Sequence, residues 1–276
     1  MSKPRTKSNR RKIISLDSPS ESSSECRIPR WFMQTWKNGD VPDKWKDSPS
    51  SVREKMRDWN YILMTDEMNR EFVRIHFPDF LATYDAFPYP IQRVDAIRYM
   101  WLYINGGIYM DLDIVLTRSI EDFFTSSDCQ VYLVHSGNIA SYYTNALMAS
   151  KPGSPFWLEC IEEMKKKPSP LWVGRHLLVM NTTGPMMLTR VAKRSNLVIA
   201  TLPSRLLVPC SLCDLPCEYN DDIYAYAIPG SSWVTWDTLM YNFFFCHWKT
   251  LVLVFVILFV AILIFLLAWW LRPRCM

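Results

Sequence analysis

The sequence predicts a mixed α/β domain followed by one membrane-spanning helix. Three observations carry that reading. The run from Leu251 to Leu271 is apolar without interruption. Residues 28–246 mix short apolar runs with amphipathic segments and contain no internal repeat. Within them, residues 90–124 join a helical pattern to a strand pattern through a Gly-Gly turn. The chain of 276 residues, 49% hydrophobic and 21% charged, is long enough for one large core, which excludes a disordered or fibrous molecule.

Residues 1–27 are rich in Ser, Lys and Arg and poor in apolar side chains, so they read as a disordered basic tail. Lys3, Arg5, Lys7, Arg10, Arg11 and Lys12 carry more positive charge than the formal net +4 of the whole chain, so the remainder is slightly negative and close to neutral. A nucleic-acid partner, which needs a basic surface on the folded domain, is therefore not expected. None of the 8 glycines falls in a phosphate-cradling glycine loop, so any nucleotide must be held another way.

At ~1.5 Å per residue, a helix over 251–271 spans roughly 30 Å, the thickness of a hydrocarbon core. Lys249, Arg272 and Arg274 flank it, and Trp269 and Trp270 sit where an interfacial aromatic belt falls. The expected protein is a single-pass membrane protein of an endoplasmic reticulum or Golgi type membrane, with residues 272–276 as a short tail. Without an apolar stretch near residue 1, the sequence favours a C-terminal tail anchor and a cytosolic domain. The sequon at Asn181 points the other way, because its use requires a lumenal domain. Cys210, Cys213 and Cys217 supply three ligands where structural zinc wants four, so a local disulfide or free thiols are the simpler expectation.

The chemistry is concentrated in residues 90–124. Gln92 to Ile104 lacks Gly and Pro, places Val94, Ile97, Trp101 and Ile104 at helical spacing, and runs into Asn105-Gly106-Gly107, a helix stop. Asp95 and Arg98 share one face of that helix, where the plainest reading is an exposed ion pair worth under ~1 kcal/mol. Beyond the glycines, Ile108, Met110, Leu112 and Ile114 alternate with Tyr109, Asp111 and Asp113, the pattern of a strand with one buried face. Both carboxylates then point the same way, ~6.5 Å apart, within reach of one hard divalent cation. Such a cation suits a sugar-nucleotide donor, whose diphosphate gains negative charge as it leaves.

The segment from Asp95 to Asp113 resembles the DXD-motif retaining glycosyltransferases, a family that includes initiation-specific and inositol phosphorylceramide mannosyltransferases. The likeness extends over IPRWFMQTWKNGDVPDKW from residue 28, TNALMASKPGSPF from 144, TTGPMMLT from 182 and GSSWVTWD from 230. It implies a GT-A-type, Rossmann-like nucleotide-sugar-binding domain, retention of anomeric configuration, Mn2+ or Mg2+ as cofactor, and a GDP- or UDP-sugar as co-substrate. Trp36 would stack on the base; Asp95, Arg98 and Tyr109 would contact ribose, sugar and phosphate. Asp111 and Asp113 would hold the metal, Asn145 would lie beside the reacting sugar, and Ser231 and Trp233 would close over the diphosphate. If Arg98 acts there, Arg98→Ala should lower turnover and leave the melting temperature unaltered.

The expected activity is transfer of a hexose, mannose from GDP-mannose, to a lipid acceptor such as inositol phosphorylceramide at the bilayer. Two alternatives stand beside it: a UDP-galactose or UDP-glucose transferase acting on another glycan or lipid, and a silent sugar-nucleotide-binding scaffold. The scaffold is raised by Met33 and Val234, which occupy positions where relatives often carry His. A metal-dependent phosphohydrolase would need clustered ligands that the scattered His76, His135, His176 and His247 do not supply.

Overall fold

The computed structural model describes residues 14–15, 28–124, 131–135, 142–166, 174–207, 213, 221–228, 230 and 234–270. It divides into two compact units, 1–233 and 234–276.

The first unit is built on strands β1 (Ile14–Ser15), β2 (Trp31–Thr35), β3 (Asn60–Met64), β4 (Gly107–Met110), β6 (Val131–His135), β7 (Tyr143–Ser150) and β8 (Ile199–Leu202). They form one sheet in the order β1-β8-β6-β7-β4-β2-β3. β2 runs parallel to both β3 and β4, β7 is antiparallel to β4 and β6, and β8 returns parallel to β6. A second, two-stranded sheet pairs β5 (Ile114–Leu116) with β9 (Ala225–Ala227). The helices of this unit are α1 (Asp47–Lys55), α2 (Asp66–His76), α3 (Leu81–Asp85), α4 (Pro90–Ile104), α5 (Pro155–Met164), α6 (Arg175–Thr182), α7 (Pro185–Arg194) and α8 (Ser204–Leu207).

Strands covered on both faces read as continuous apolar runs, and β4 is buried at all four positions. On one face of the sheet Ile97, Tyr99 and Met100 of α4 pack with Trp157 of α5 and Leu188 of α7. On the other, Phe32, Ile108 and Leu147 pack with Val52 of α1 and Leu116 of β5. The mixed α/β domain expected from the sequence is the fold observed: β2 lies between β3 and β4, parallel to both, and the carboxyl end of β4 leads into the DXD residues.

Helix α4 begins two residues before the expected start, because Pro90 occupies its first turn, where a missing N–H costs nothing. It stops where expected. Gly106 and Gly107 take φ of 64° and 85°, and a Cβ on Gly107 would lie 2.3 Å from the Trp31 carbonyl oxygen. Only glycine meets both demands.

The strand expected to run through Asp113 ends at Met110. The Asp111 N–H still donates to the Ala146 carbonyl (2.7 Å), but the Ile114 N–H donates to the Asp111 carbonyl (3.2 Å), which closes a turn over the DXD. Ile114 onward then pairs with β9 in the second sheet. The alternation of apolar residues is real, but it belongs to two strands of different sheets, with the carboxylates on the corner.

The second unit is a helix, α9 (Trp236–Trp270), 35 residues long. It begins 15 residues before the apolar run that starts at Leu251. Residues 236–267 are long and apolar enough to cross a membrane, and none of the most apolar window is buried. A soluble core helix would bury that surface, so α9 fits a membrane anchor. Asp237 Oδ1 accepts from the Thr235 hydroxyl and from the Thr238 N–H, which ties off the first turn.

Candidate active site

Asp95 and Arg98 lie one turn apart on α4, and both are only 3% exposed. They are not a surface pair. Arg98 Nη2 lies 3.2 Å from Asp95 Oδ1, and Nη1 lies 3.1 Å from Asp111 Oδ1. The same Nη1 donates to the Asn145 carbonyl (2.8 Å), while the guanidinium carbon sits 4.5 Å from the centroid of the Tyr109 ring. Asp95 accepts from Asn145 Nδ2 (2.9 Å) and from the Thr183 hydroxyl (2.8 Å). The Tyr99 hydroxyl accepts from Asn145 Nδ2 and donates to the Thr183 carbonyl, and the Tyr109 hydroxyl donates to Asp111 Oδ1 at 2.6 Å. Three elements, α4, β4 and β7, thus meet in one hydrogen-bonded cluster beneath the DXD turn.

Burial pushes the Asp95 carboxyl up to about 6, although Arg98, Thr183 and Asn145 all favour its charged form. Burial also disfavours the Arg98 cation, but Asp111, Tyr109 and Asp95 outweigh it and keep the guanidinium charged. Tyr99 and Tyr109, buried, are held well above their ordinary range and stay neutral donors. Asp113 rises to about 7, first through burial and then through the negative charge of Asp111, with Arg98 and Lys44 opposing.

The donor set suits a hard divalent cation shared with a diphosphate. Asp111 and Asp113 crowd two carboxylates onto one turn, and the charge of Asp111 raises Asp113, a repulsion that a cation between them relieves. Among the described residues no group of three or more His, Cys, Asp or Glu forms a metal cluster.

The residues singled out from the sequence divide by exposure. The Asp111 side chain is 29% exposed and Asp113 is half-buried, so the carboxylates reach solvent. Asp95, Arg98, Tyr109 and Asn145 lie behind them, buried. Trp36 follows β2 at the same carboxyl edge of the parallel strands, its ring edge-on to Trp45 with centroids 4.9 Å apart. Ser231 and Trp233, like Cys210 and Cys217, lie outside the described residues. Met33 is fully buried in β2, whereas Val234 is exposed. His247 lies on α9 against Phe243.

Sequence reasoning missed four contributors. Thr183 and Tyr99 complete the shell of Asp95 and Asn145; the Thr-Gly-Pro block carried the only signal for Thr183, and Tyr99 looks like any core aromatic. Gln34, fully buried, donates to Ser48 (2.8 Å) and to the Asp111 carbonyl (3.3 Å) and accepts from the Tyr61 hydroxyl (3.0 Å), fixing the DXD backbone. Lys44 is a cation acting on Asp113.

Residues 42–130 match the model of the family described as the glycosyltransferase sugar-binding region containing the DXD motif. That stretch includes Asp111 and Asp113, the carboxylates of the motif. Inositol phosphoceramide mannosyltransferase 2 of Schizosaccharomyces pombe is 31% identical over 220 residues, 80% of this chain and 62% of that protein. Mannosyl phosphorylinositol ceramide synthase of Saccharomyces cerevisiae is 34% identical over 60% of this chain and 42% of its own length. The chain therefore spans between 42% and 62% of the length of these relatives. Among solved structures, the PaToxG glycosyltransferase aligns with a TM-score of 0.49 and 16% identity, over 61% of this chain and 70% of that one.

Proposed function

We propose that this DXD glycosyltransferase moves mannose from GDP-mannose, with retention, onto a lipid acceptor of the inositol phosphoceramide class. The observation that carries the reading is the DXD turn mounted on a buried Asp95–Arg98–Asn145 cluster, in a chain whose relatives are named for mannosyl transfer to phosphorylinositol ceramide. When bound, Mn2+ or Mg2+ would neutralise charge on the departing diphosphate. Asp111 and Asp113 are the residues that would hold it.

The protein's own groups do the rest. Arg98 fixes the carboxylate of Asp111 through Nη1 and that of Asp95 through Nη2, so the DXD turn meets the donor already ordered. The half-buried face of Trp36 offers a stacking surface for the base, and Ser231 and Trp233 remain candidates for closing over the diphosphate. α9 holds the domain to the membrane that carries its acceptor.

Cys213 and Cys246 are each disulfide-bonded, and disulfides persist in oxidising compartments. That favours a lumenal domain over the cytosolic one. The Asn181 sequon adds little to this, since Thr183 is buried against Asp95 and has a structural reason to be there.

The test is product analysis with full-length protein in detergent micelles, offered labelled GDP-mannose, UDP-galactose and UDP-glucose with inositol phosphoceramide, with Mn2+ or with EDTA. Metal-dependent label in a mannosylated lipid from GDP-mannose alone is expected. Transfer only from a UDP-hexose overturns the donor, and no transfer beside intact nucleotide binding favours the silent scaffold.

A further inference from the structure

We propose that a basic cleft beside α7 is the subsite for the phosphate of the acceptor, a phosphodiester-bearing lipid headgroup. This rests on the reading of the DXD site as a transferase centre and adds the group by which the acceptor is recognised.

The cleft, about 320 Å3, is walled by Tyr142, Asn181, Thr189, Arg190, Lys193 and Arg194. Three of these carry positive charge, and among the described residues no carboxylate lines it. The α7 residues recur at helical spacing, so they present one basic face. Behind it lies Glu163 of α5, whose side chain is 7% exposed. It accepts from Arg190 Nε (3.0 Å), Arg194 Nη1 (2.5 Å) and Lys166 Nζ (2.6 Å). One carboxylate thus orients two guanidinium groups without cancelling their charge, and Lys193 has no ion-pair partner among the described residues. Oriented guanidinium forks beside a mobile ammonium suit a phosphate.

Its place ties the cleft to the reaction. Arg190 Nη2 donates to the Asn181 carbonyl (2.9 Å), two residues before the Thr183 that binds Asp95. The Thr189 hydroxyl accepts from the Tyr143 N–H (2.9 Å), pinning α7 to the first residue of β7. Tyr142 is three residues from Asn145, roughly 10 Å along an extended chain. β7 is antiparallel to β4, so its beginning lies at the edge where β4 ends and the DXD turn starts. A headgroup with one ring between its phosphate and its reacting hydroxyl fits that spacing. An ion network serving only to join α5 to α7 would need neither the cavity nor the unpaired lysine.

The experiment uses the full chain in mixed micelles, with wild type, Lys193→Ala and Lys193→Arg. Lys193 makes no structural bond among the described residues, so folding should survive, and the melting temperature checks it. The acceptors are an inositol-phosphate-headed ceramide and a ceramide with a neutral sugar headgroup. Expected for Lys193→Ala is a five- to tenfold rise in KM for the phosphodiester acceptor, with KM for the sugar nucleotide unchanged and recovery in Lys193→Arg. Inorganic phosphate, titrated calorimetrically, gives a readout independent of turnover: binding weakened in Lys193→Ala supports the anion site. Competition by inorganic phosphate alone, with no preference between the two acceptors, assigns the site to free phosphate and overturns the acceptor role. Unchanged KM and unchanged phosphate binding overturn the subsite while leaving the DXD reading intact. Absence of any hexose transfer, with phosphate binding still dependent on Lys193, overturns the DXD reading and the acceptor role together.

Discussion

Replacing Arg98 by Ala removes the cation that pairs with both Asp95 and Asp111. Asp95 then keeps its bonds to Asn145 and Thr183 but stands as a buried carboxylate with no counter-charge. Breaking a buried pair from one side typically costs about 3–5 kcal/mol, because the remaining charge stays desolvated. For a domain of this size each kcal/mol moves the midpoint by about 2–4 °C, so thermal unfolding of full-length protein followed by circular dichroism should fall by roughly 6–20 °C. This replaces the unaltered melting temperature expected from sequence, which had Arg98 serve the donor and not the fold. Arg98→Lys should recover only part of the loss, since one ammonium cannot serve Asp95, Asp111 and the Asn145 carbonyl together. Combining Arg98→Ala with Asp95→Asn should cost less than the sum of the two, because the second change removes the stranded charge. A shift below ~1 °C for Arg98→Ala, or strict additivity in the cycle, would refute the buried-cluster reasoning.

Two further outcomes follow from the packing. Gly107→Ala combines a φ of 85° with a Cβ only 2.3 Å from the Trp31 carbonyl, backbone that cannot move aside; urea unfolding should show a loss of about 2–5 kcal/mol, and a loss under ~1 kcal/mol would contradict the geometry. Burial alone would raise the Glu163 carboxyl, but hydrogen bonds from Lys166, Arg194 and Arg190 lower it from 4.5 to about 2. Its stabilisation is therefore complete above pH 4.5 and disappears as pH falls toward 2. Those partners are half exposed, so Glu163→Gln should cost only about 1–2 kcal/mol at pH 7, a difference that closes in that acid window; a gap unchanged down to pH 2 would sink the assignment.

Much of the site was legible because its chemistry is local. Helix α4, its stop at Gly106-Gly107 and the Asp111–Asp113 spacing are written in a short stretch whose periodicity is unambiguous. The burial of Asp95 and Arg98 was not, because it depends on β7 and the Thr183 turn, which approach α4 from 46 or more residues away. The DXD strand was misread for a related reason: alternation persists through Leu112, and nothing local says that Ile114 will leave β4's sheet for β9. The helix start at Trp236 went unseen because the aromatic residues before Lys249 break the aliphatic pattern without breaking the helix. Gln34 and Tyr99 looked like ordinary strand and core positions; their roles exist only once Ser48, Asp111 and Thr183 are folded against them.

The central claim is that Asp111 and Asp113 form a metal-dependent sugar-nucleotide site. Calorimetric titration of full-length protein with GDP and with UDP, in Mn2+ and in EDTA, tests it most directly, with Asp113→Asn measured in parallel. Asparagine keeps the volume and removes one hard charged ligand. The site predicts tighter nucleotide diphosphate binding with Mn2+ in wild type, by tenfold or more, and no such difference in Asp113→Asn. Equal affinity with and without metal in the wild-type protein would contradict it.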